Sequence, residues 1–251
     1  MARTKRLIMA LWIYFKKRKA EQMLRLAKNH LDIGLFTNDI DSHHNFWSKT
    51  VGLKLDHELK FNKDITQHRY DAHGSVIKVN HHAKPFQNEP ASGYKHLKIA
   101  STNLPNQLLK HPGGDFVSLV TPGTDGIVGI GIEISTANPK NMVDFYTEVM
   151  GFDLVATNTL QCGDTILFVT KGHAGYKTDS FVGPNFRYLT VQIYDADLEC
   201  AAITKKGGLI VQEPRTIGEI ARYGFVTDPD GNWIEISARA SLTGVIPTPD
   251  I

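Results

Sequence analysis

An internal repeat constrains the fold of this chain more than any other feature. Residues 32–55 and 131–154 match at a constant offset of 99 positions. The matched pairs include Thr37 with Thr136, Phe46 with Phe145, Trp47 with Tyr146, Gly52 with Gly151, and Leu55 with Leu154. Each segment follows the pattern of a strand, a helix that ends at glycine, and a strand, and further short strands follow it. The repeat therefore predicts two βαβββ units, one beginning near residue 32 and the other near residue 131.

Two more divergent units accompany this pair. Residues 186–240 predict a strand, a helix over 196–206 and three more strands. Residues 94–121 read as a shortened copy, in which a brief segment replaces the helix. The turn H-P-G-G at 111–114 occupies the position that D-P-D-G has at 228–231. Four units of this kind predict an α+β fold.

Four βαβββ-type units in two pairs, with D-P-D-G-N-W-I-E-I closing the last one, resemble the vicinal oxygen chelate superfamily. This superfamily includes glyoxalase I, extradiol dioxygenases and bleomycin- and fosfomycin-resistance proteins, and the two-pair arrangement is most similar to the extradiol dioxygenases. The resemblance implies two tandem domains, at 29–122 and 126–240, each a cup of curled mixed sheet. A basic amphipathic helix over 1–28 would precede them, and a tail at 241–251 would follow.

The charge distribution separates the N-terminal segment from the rest. Residues 1–28 carry nine Lys or Arg and one Glu, which leaves 19 basic and 25 acidic residues in 29–251. We therefore expect no nucleic-acid partner for the body. The apolar run at 7–15 is too short to span a bilayer, which takes about 20 residues. Two interpretations stay open: a helix that docks on the body or on a second subunit of a homodimer, and a peripheral membrane anchor.

The two cysteines, Cys162 and Cys200, show no metal-ligand spacing. They are typical of a reducing compartment rather than of a disulfide framework. We therefore expect a cytoplasmic protein, associated with a membrane if the N-terminal segment is an anchor.

The resemblance implies metal-ligand positions on the first and last strands of each unit, with Fe(II) or another divalent ion as the usual cofactor. In the C-terminal domain these positions fall on Gly131, Phe168, Tyr188 and Glu235. Only Glu235 is a good ligand, so we predict no cofactor. A metal here would need Glu133 or Gln192 beside Glu235.

Without a metal, the C-terminal cup is predicted to bind an organic ligand. Glu235 and Tyr188 would be its polar anchors, and Phe168 and Trp233 would supply apolar surface. The alternative is that Glu235 forms a hydrogen bond with Tyr188 or Gln192 and binds nothing.

In the N-terminal domain the corresponding positions fall on Asp32, Lys78, His96 and Ser118. A lysine at a ligand position argues against a cation, so we predict a metal-free acid/base set that contacts the substrate. Asp32 or His96 would be the base, and Lys78 with Arg69 would stabilise an oxyanion. Strand alternation places either Gln67 and Arg69, or His68, inside the cup. A buried polar network that satisfies only itself is the alternative.

The paired histidines do not form a metal motif. His43 and His44 are consecutive on a predicted helix, and His81 and His82 are consecutive at the end of a predicted strand. Consecutive residues do not share a face in either element, so we expect surface histidines.

These observations predict a protein that acts on a small oxygen-rich organic molecule, by metal-independent lyase or isomerase chemistry. Non-catalytic sequestration of a ligand is an alternative, and a metal-dependent extradiol dioxygenase is another. A scaffold with filled cups, docked on a membrane, is the remaining interpretation.

Overall fold

The computed structural model describes residues 24–86, 89–104, 106–245 and 248. Most of the helix predicted for 1–28 lies outside these ranges. Within them, residues 24–28 are not helical: Leu26 forms an antiparallel bridge with Ile193, so the helix prediction is wrong for this part. The homodimer and membrane interpretations remain predictions. No helix in the described residues is both long and apolar enough to cross a membrane.

The protein is an α+β fold of two mixed sheets. Its strands are β1 Asp32–Thr37, β2 Lys54–Lys60, β3 Ile65–Ala72, β4 Ser75–His82, β5 Tyr94–Ala100, β6 Gln107–Lys110, β7 Phe116–Val120, β8 Ile130–Thr136, β9 Asp153–Ala156, β10 Thr159–Cys162, β11 Thr165–Lys171, β12 Phe186–Gln192, β13 Leu209–Ile217, β14 Ala221–Thr227 and β15 Trp233–Arg239. The eight-stranded sheet has the order β13-β14-β15-β12-β1-β4-β3-β2, and the seven-stranded sheet has the order β6-β7-β5-β8-β11-β10-β9.

The helices are short and begin at polar caps. They are α1 Ile40–His44, α2 Pro139–Asp144, α3 Ala196–Lys205 and α4 Ala240–Thr243, with π-helical turns at Asn45–Thr50 and Phe145–Val149 and a 3-10 turn at Thr124–Gly126. The side chain of Asp39 accepts a hydrogen bond from the Ser42 amide, and that of Asp195 accepts one from the Leu198 amide. Gly52 and its repeat partner Gly151 adopt φ of +83° and +72°, which explains glycine after both π-helical turns.

The sheets do not combine the units in the predicted pairs, the first with the second and the third with the fourth. Strand β1 pairs antiparallel with β12, so the first unit shares its sheet with the fourth. Strand β5 pairs antiparallel with β8, so the second unit shares its sheet with the third. The expectation that consecutive units form a cup within 29–122 or within 126–240 is therefore wrong. In every unit, the first strand lies at one edge of that unit's own set of strands. The repeat pattern does not specify which two of these edge strands pair.

One face of each sheet contributes to a single apolar core. Alternating residues of β1, β4, β5, β8, β12 and β15 are buried there, among them Leu35, Ile77, Leu97, Ile132 and Leu189. The alternate residues of these strands face the other way and include most of the polar side chains considered as site residues. The strand period of two therefore separates a stabilising face from a face that is free to bind.

The D-P-D-G turn precedes the last strand, β15, and connects this end of the eight-stranded sheet to the seven-stranded sheet. Asp228 is buried and accepts hydrogen bonds from the Asp230 and Asn232 amides, at 3.0 and 2.9 Å, and from Nδ2 of Asn232 at 2.7 Å. Oδ1 of Asn232 accepts from the Gly93 amide, which precedes β5 of the other sheet, at 2.6 Å. Gly231 adopts φ of +86°, which favours glycine. The motif is therefore a structural junction.

We predict that the buried carboxyl group of Asp228 makes stability depend on pH. Burial raises the pKa of Asp228 from its ordinary value of 3.8 to about 7, although the hydrogen bonds from Asn232 act to lower the pKa. The folded state therefore holds this proton more tightly, and the stabilisation present below the unfolded pKa is lost as pH rises through the folded pKa.

Asp228→Asn lacks this titrating group. Between the ordinary pKa and the folded-state pKa, the free energy of unfolding of the wild type should therefore fall by a few kcal/mol relative to that of Asp228→Asn, at about 1.4 kcal/mol per pKa unit. Urea unfolding of both proteins at several pH values measures the difference. A difference that stays constant with pH would contradict this assignment.

Candidate functional site

A cavity of about 200 Å³ lies on the polar face of the eight-stranded sheet, between the first and fourth units. Its polar lining comprises Gln67, Arg69, Lys78, Asn80, Gln192, Arg215, Glu235, Ser237 and Arg239. Its aromatic lining comprises Phe36, Phe61, Phe181, Tyr188, Tyr223 and Phe225. This mixture of apolar wall and a few convergent polar groups is typical of a small-molecule site. We call it the first-cup pocket.

The ammonium group of Lys78 is the centre of the polar cluster in this pocket. It donates to Oγ1 of Thr190 at 2.6 Å and to Oε2 of Glu235 at 2.9 Å. Thr190 in turn donates to the same Glu235 oxygen at 2.7 Å. Lys78 is on β4 of the first unit, and its two partners are on β12 and β15 of the fourth. The cluster therefore joins the two units across the sheet.

Asp32 completes the cluster below the pocket. Its carboxylate is fully buried, lies 4.0 Å from the Lys78 ammonium and accepts a 2.5 Å hydrogen bond from Lys28. It also accepts hydrogen bonds from the Val76 amide, at 2.9 Å, and from Nε2 of Gln192, at 3.4 Å. Burial alone would raise the pKa of Asp32, but the charges of Lys28 and Lys78 outweigh it and hold the pKa below its ordinary value. Asp32 is therefore a fixed counter-ion.

A divalent cation does not fit these ligand positions. Burial lowers the pKa of Lys78, although the carboxylates of Glu235 and Asp32 counteract this shift. The Lys78 ammonium lies between those two carboxylates, where a metal ion would have to bind, and a second cation would meet like charge at contact distance. Thr190 and Tyr188 add only weak hydroxyl ligands.

A chain of hydrogen bonds runs along the floor of the pocket. Arg69 donates to Gln67 at 2.6 Å, Gln67 donates to Asn80 at 2.8 Å, and Asn80 donates to the Tyr188 hydroxyl at 3.0 Å. The Tyr188 ring lies directly over Gly34, where a Cβ atom would come within 2.1 Å of the ring. Glycine on β1 is therefore what allows the ring to extend into the pocket.

Three guanidinium groups, of Arg69, Arg215 and Arg239, give the pocket an excess of positive charge. The Arg69 side chain is 5% exposed, and its Nε has no hydrogen-bond partner among the described residues. Burial and the nearby charge of Arg69 lower the pKa of Arg239. Together with Lys28 and Lys78 these cations outnumber the two carboxylates. Because buried charge of one sign is costly without a counter-charge, this excess favours an anionic ligand.

A cluster of aromatic rings in tilted and edge-to-face contact forms part of the pocket lining. Phe181 lies 4.6 Å from Phe225 and 5.2 Å from Trp233, measured between ring centroids, and it also contacts Phe36 and Tyr188. Trp233 supports this cluster from behind and is not among the lining residues. An organic ligand would therefore meet apolar ring surface as well as the cations.

The second sheet carries a separate polar group. His96 Nε2 lies 2.7 Å from Ser118 Oγ, and His96 Nδ1 lies 3.7 Å from an oxygen of Glu133. Thr170 donates to the other Glu133 oxygen at 3.1 Å, and the His96 hydrogen bond, more than any other contact, lowers the pKa of Glu133. These groups satisfy one another. This group differs from the self-satisfied network considered as an alternative, because neither Asp32 nor Lys78 belongs to it.

Apolar side chains fill the rest of this second cup. A Cβ atom at Gly131 would lie 2.8 Å from Ile127 and 2.9 Å from Phe168, and Ile127 is fully buried. Glycine here therefore reflects close packing. The ammonium of Lys98 lies 4.3 Å from the centre of the Phe168 ring.

The structure divides the predicted site residues between the two sheets. It brings together Asp32, Gln67, Arg69, Lys78, Tyr188 and Glu235 in or beneath the first-cup pocket, with Trp233 behind it. His96, Ser118 and Phe168 belong to the other sheet, so the predicted set of Asp32, Lys78 and His96 facing one another does not exist. The reason is the pairing of units described above.

Three smaller expectations also change. Gln67 and Arg69 face the pocket, which leaves His68 on the opposite face of β3. Glu235 binds Lys78 and Thr190 rather than Tyr188 or Gln192. Glu133 lies in the other sheet, so it cannot join Glu235 at a metal.

Sequence reasoning missed Asn80, Thr190, Arg239 and Phe181. Asn80 and Thr190 share the strand parity of Lys78 and Tyr188, and Arg239 shares that of Glu235. Parity could therefore have identified these three residues once the correct unit pairing was known. Phe181 comes from the segment between β11 and β12, and no sequence signal placed it.

Comparisons with known proteins agree with this architecture. Residues 130–236 match the family model described as the Glyoxalase/Bleomycin resistance protein/Dioxygenase superfamily. A "Probable lactoylglutathione lyase" from Vibrio parahaemolyticus is 32% identical over 119 residues, covering 41% of this chain and 86% of the relative. A protein of the same name from Synechocystis is 28% identical over 112 residues, covering 39% and 86%.

The crystal structure of glyoxalase I from Zea mays superposes with a TM-score of 0.69. Its sequence identity is 14%, and the match covers 88% of this chain and 94% of the maize chain, so this likeness concerns the fold. The fold is thus a tandem glyoxalase-like arrangement of four units. The chain belongs to the glyoxalase/bleomycin resistance/dioxygenase superfamily, also called the vicinal oxygen chelate superfamily.

We predict that Lys78→Met destabilises the protein by about 3–5 kcal/mol, because it leaves the buried carboxylates of Glu235 and Asp32 without their shared cation. Adding Glu235→Gln to this variant should restore part of the loss. Urea unfolding measures both effects.

Lys140→Met is the matched control, because Lys140 forms an equally simple ion pair with Asp144, at 2.5 Å, on an exposed helix face. This control should cause no measurable change. Equal effects of the two single substitutions would contradict a buried role for Lys78.

Proposed function

We propose that the first-cup pocket binds a small, oxygen-rich organic anion and that Glu235 moves a proton on this ligand without a metal ion. The observation that carries the proposal is the three guanidinium groups, of Arg69, Arg215 and Arg239, that line the pocket together with aromatic rings. A carboxylate or enolate oxygen of the ligand would pair with these cations. The aromatic rings would contact the apolar part of the ligand.

Glu235 is the group best placed to act as the base. Lys78 and Thr190 both bind its Oε2, which leaves Oε1 for a ligand, and its side chain is 14% exposed on the pocket wall. Asp32 is fully buried beneath the cavity, and His96 lies in the other sheet. We therefore assign the base to Glu235 and retain Arg69 and Lys78 as charge-stabilising groups.

The proposed step is abstraction of a proton from the carbon next to a carbonyl group. The proton passes to Glu235, and the electron pair of the C–H bond moves to the carbonyl oxygen, where Arg69 stabilises the enolate. If the deprotonated carbon bears a hydroxyl group, transfer of the hydroxyl proton to the enolate oxygen and return of the abstracted proton to the former carbonyl carbon complete an isomerisation. If the next carbon bears a leaving group, its departure with its bonding electrons completes an elimination. The relatives named probable lactoylglutathione lyase favour lyase chemistry.

A second candidate function is sequestration without catalysis. The observation that favours it is the tight engagement of Glu235 by both Lys78 and Thr190, because a carboxylate with two hydrogen-bond donors is a weaker base. In this case the same pocket binds the same class of anion, and no proton moves.

We expect Arg69→Gln to weaken the binding of carboxylate ligands by about 10- to 100-fold, the value of a charge-assisted hydrogen bond, and to change the binding of their neutral amides much less. Calorimetric titration with paired 2-oxo and aromatic carboxylates and their amides measures this difference. Lys110→Gln, which removes an exposed cation from β6 of the other sheet, is the control. If Arg69→Gln binds the carboxylates as tightly as the wild type, the proposed anion site is wrong.

We expect Glu235→Gln to slow proton exchange on a bound ligand by at least about 100-fold, while the dissociation constant changes only slightly. Exchange of the C–H proton in deuterated water, followed by NMR, measures this rate. No exchange with the wild-type protein, despite tight binding, would support sequestration instead. Activity that a chelator removes and that Fe(II), Mn(II) or Zn(II) restores would contradict the metal-independent mechanism and favour the dioxygenase alternative.

A further inference from the structure

Three potential ligands converge on the face of β3 that is opposite to the first-cup pocket. His44 ends helix α1, Glu58 is on β2, and His68 is on β3. Glu58 and His68 are direct partners across the β2–β3 ladder. One nitrogen or oxygen atom from each of the three side chains lies within 4.8 Å of the others. We call these residues the helix–sheet cluster.

His68 is the member that most needs an explanation. It is 7% exposed, and both ring nitrogens lack a hydrogen bond among the described residues. Its Nδ1 lies 2.9 Å from Oε1 of Glu58, but the two atoms are not aligned as a donor and an acceptor. Glu58 therefore gives Nδ1 an ionic contact, and Nε2 has no hydrogen-bond partner in the part of the chain that the structure describes. A bound ion is one of the explanations for a buried, unsatisfied polar group.

His44 is oriented as a metal ligand usually is. Its Nδ1 forms a hydrogen bond with the hydroxyl of Tyr70, a fully buried residue on β3. Its ring meets the His68 ring edge to face, with 4.8 Å between centroids. A histidine that binds a metal through one nitrogen commonly has its other nitrogen fixed by a hydrogen bond. The contact with Tyr70 therefore leaves Nε2 of His44 available to an ion.

We propose that the helix–sheet cluster binds a divalent transition-metal ion of the zinc class. Two imidazoles and one carboxylate are a ligand set that such ions accept, and a fourth position can be taken by water. Glu58, with 51% of its side chain exposed, marks the solvent side of the site. The ion would join α1 to the β2–β3 hairpin and replace the missing partners of His68.

The internal repeat provides a comparison within the same chain. At the offset of 99 positions, Val143 stands where His44 stands. The third unit therefore folds with an apolar residue at this place, so histidine is not required by the fold. The expectation that His43 and His44 are surface residues is also wrong for His43, which is buried and accepts a hydrogen bond from Nε1 of Trp47.

Titration of the purified chain with Co(II) and Zn(II) tests the proposal. We expect one equivalent of Co(II) to bind, with a visible absorption band, and Zn(II) to displace it. His44→Ala and Glu58→Gln should each weaken binding by at least about 10-fold. His57→Ala is the matched control, because His57 precedes Glu58 on β2, is exposed and pairs with Asp56 instead. This control should bind like the wild type.

Glu58→Gln is the more suitable variant for this test, because it changes an exposed side chain and should leave the protein folded. His68→Ala would instead leave a cavity at a buried position. A melting temperature that Zn(II) raises in the wild type but not in Glu58→Gln would support the site. Failure of the wild type to bind either ion, or equal affinity in the wild type, His44→Ala and Glu58→Gln, would overturn the proposal. Binding that Glu235→Gln abolishes, while Glu58→Gln retains it, would place the ion in the first-cup pocket and overturn both proposals.

Discussion

The ion pair between Lys78 and Glu235 is the interaction on which the first-cup pocket depends. It links the last strand of the first unit to the last strand of the fourth, and Thr190 and Asp32 complete its surroundings. A buried cation between two carboxylates is favourable only when each charge has partners, so the four residues depend on one another. The same ammonium occupies the space in which a metal ion would have to bind. The proposed function therefore assigns the chemistry of this pocket to side chains.

The two sheets have diverged although they are built from the same units. In the seven-stranded sheet, Ile127 and Phe168 fill the cup, and His96, Ser118 and Glu133 satisfy one another. In the eight-stranded sheet, glycine at position 34 allows Tyr188 to cross β1, and a cavity remains beside it. Glycine thus has a different effect in each cup. Gly131 allows dense packing, whereas Gly34 helps to shape a binding site.

The sequence was sufficient to predict the units, because the repeat and the glycines after the helices are local signals. It also placed Lys78, Tyr188 and Glu235 on the correct faces, because strand parity is local too. It was insufficient for the association of units, because β1, β5, β8 and β12 all have similar free edges. That one error moved His96 into the wrong cup and concealed the contact between Lys78 and Glu235. The His44–Glu58–His68 cluster was missed because its members come from three elements with no regular spacing.

The most direct test of this account is the titration of Lys78 itself, observed by NMR of protein with ¹⁵N at the lysine Nζ atoms. Comparison with Lys78→Met identifies its signal. Because burial lowers the pKa of Lys78, the signal should titrate at a lower pH than those of the exposed lysines. Because the ammonium is enclosed by Glu235 and Thr190, its protons should also exchange slowly with solvent. A Lys78 signal that titrates and exchanges like those of the exposed lysines would contradict the central claim that this ammonium takes the place of a metal.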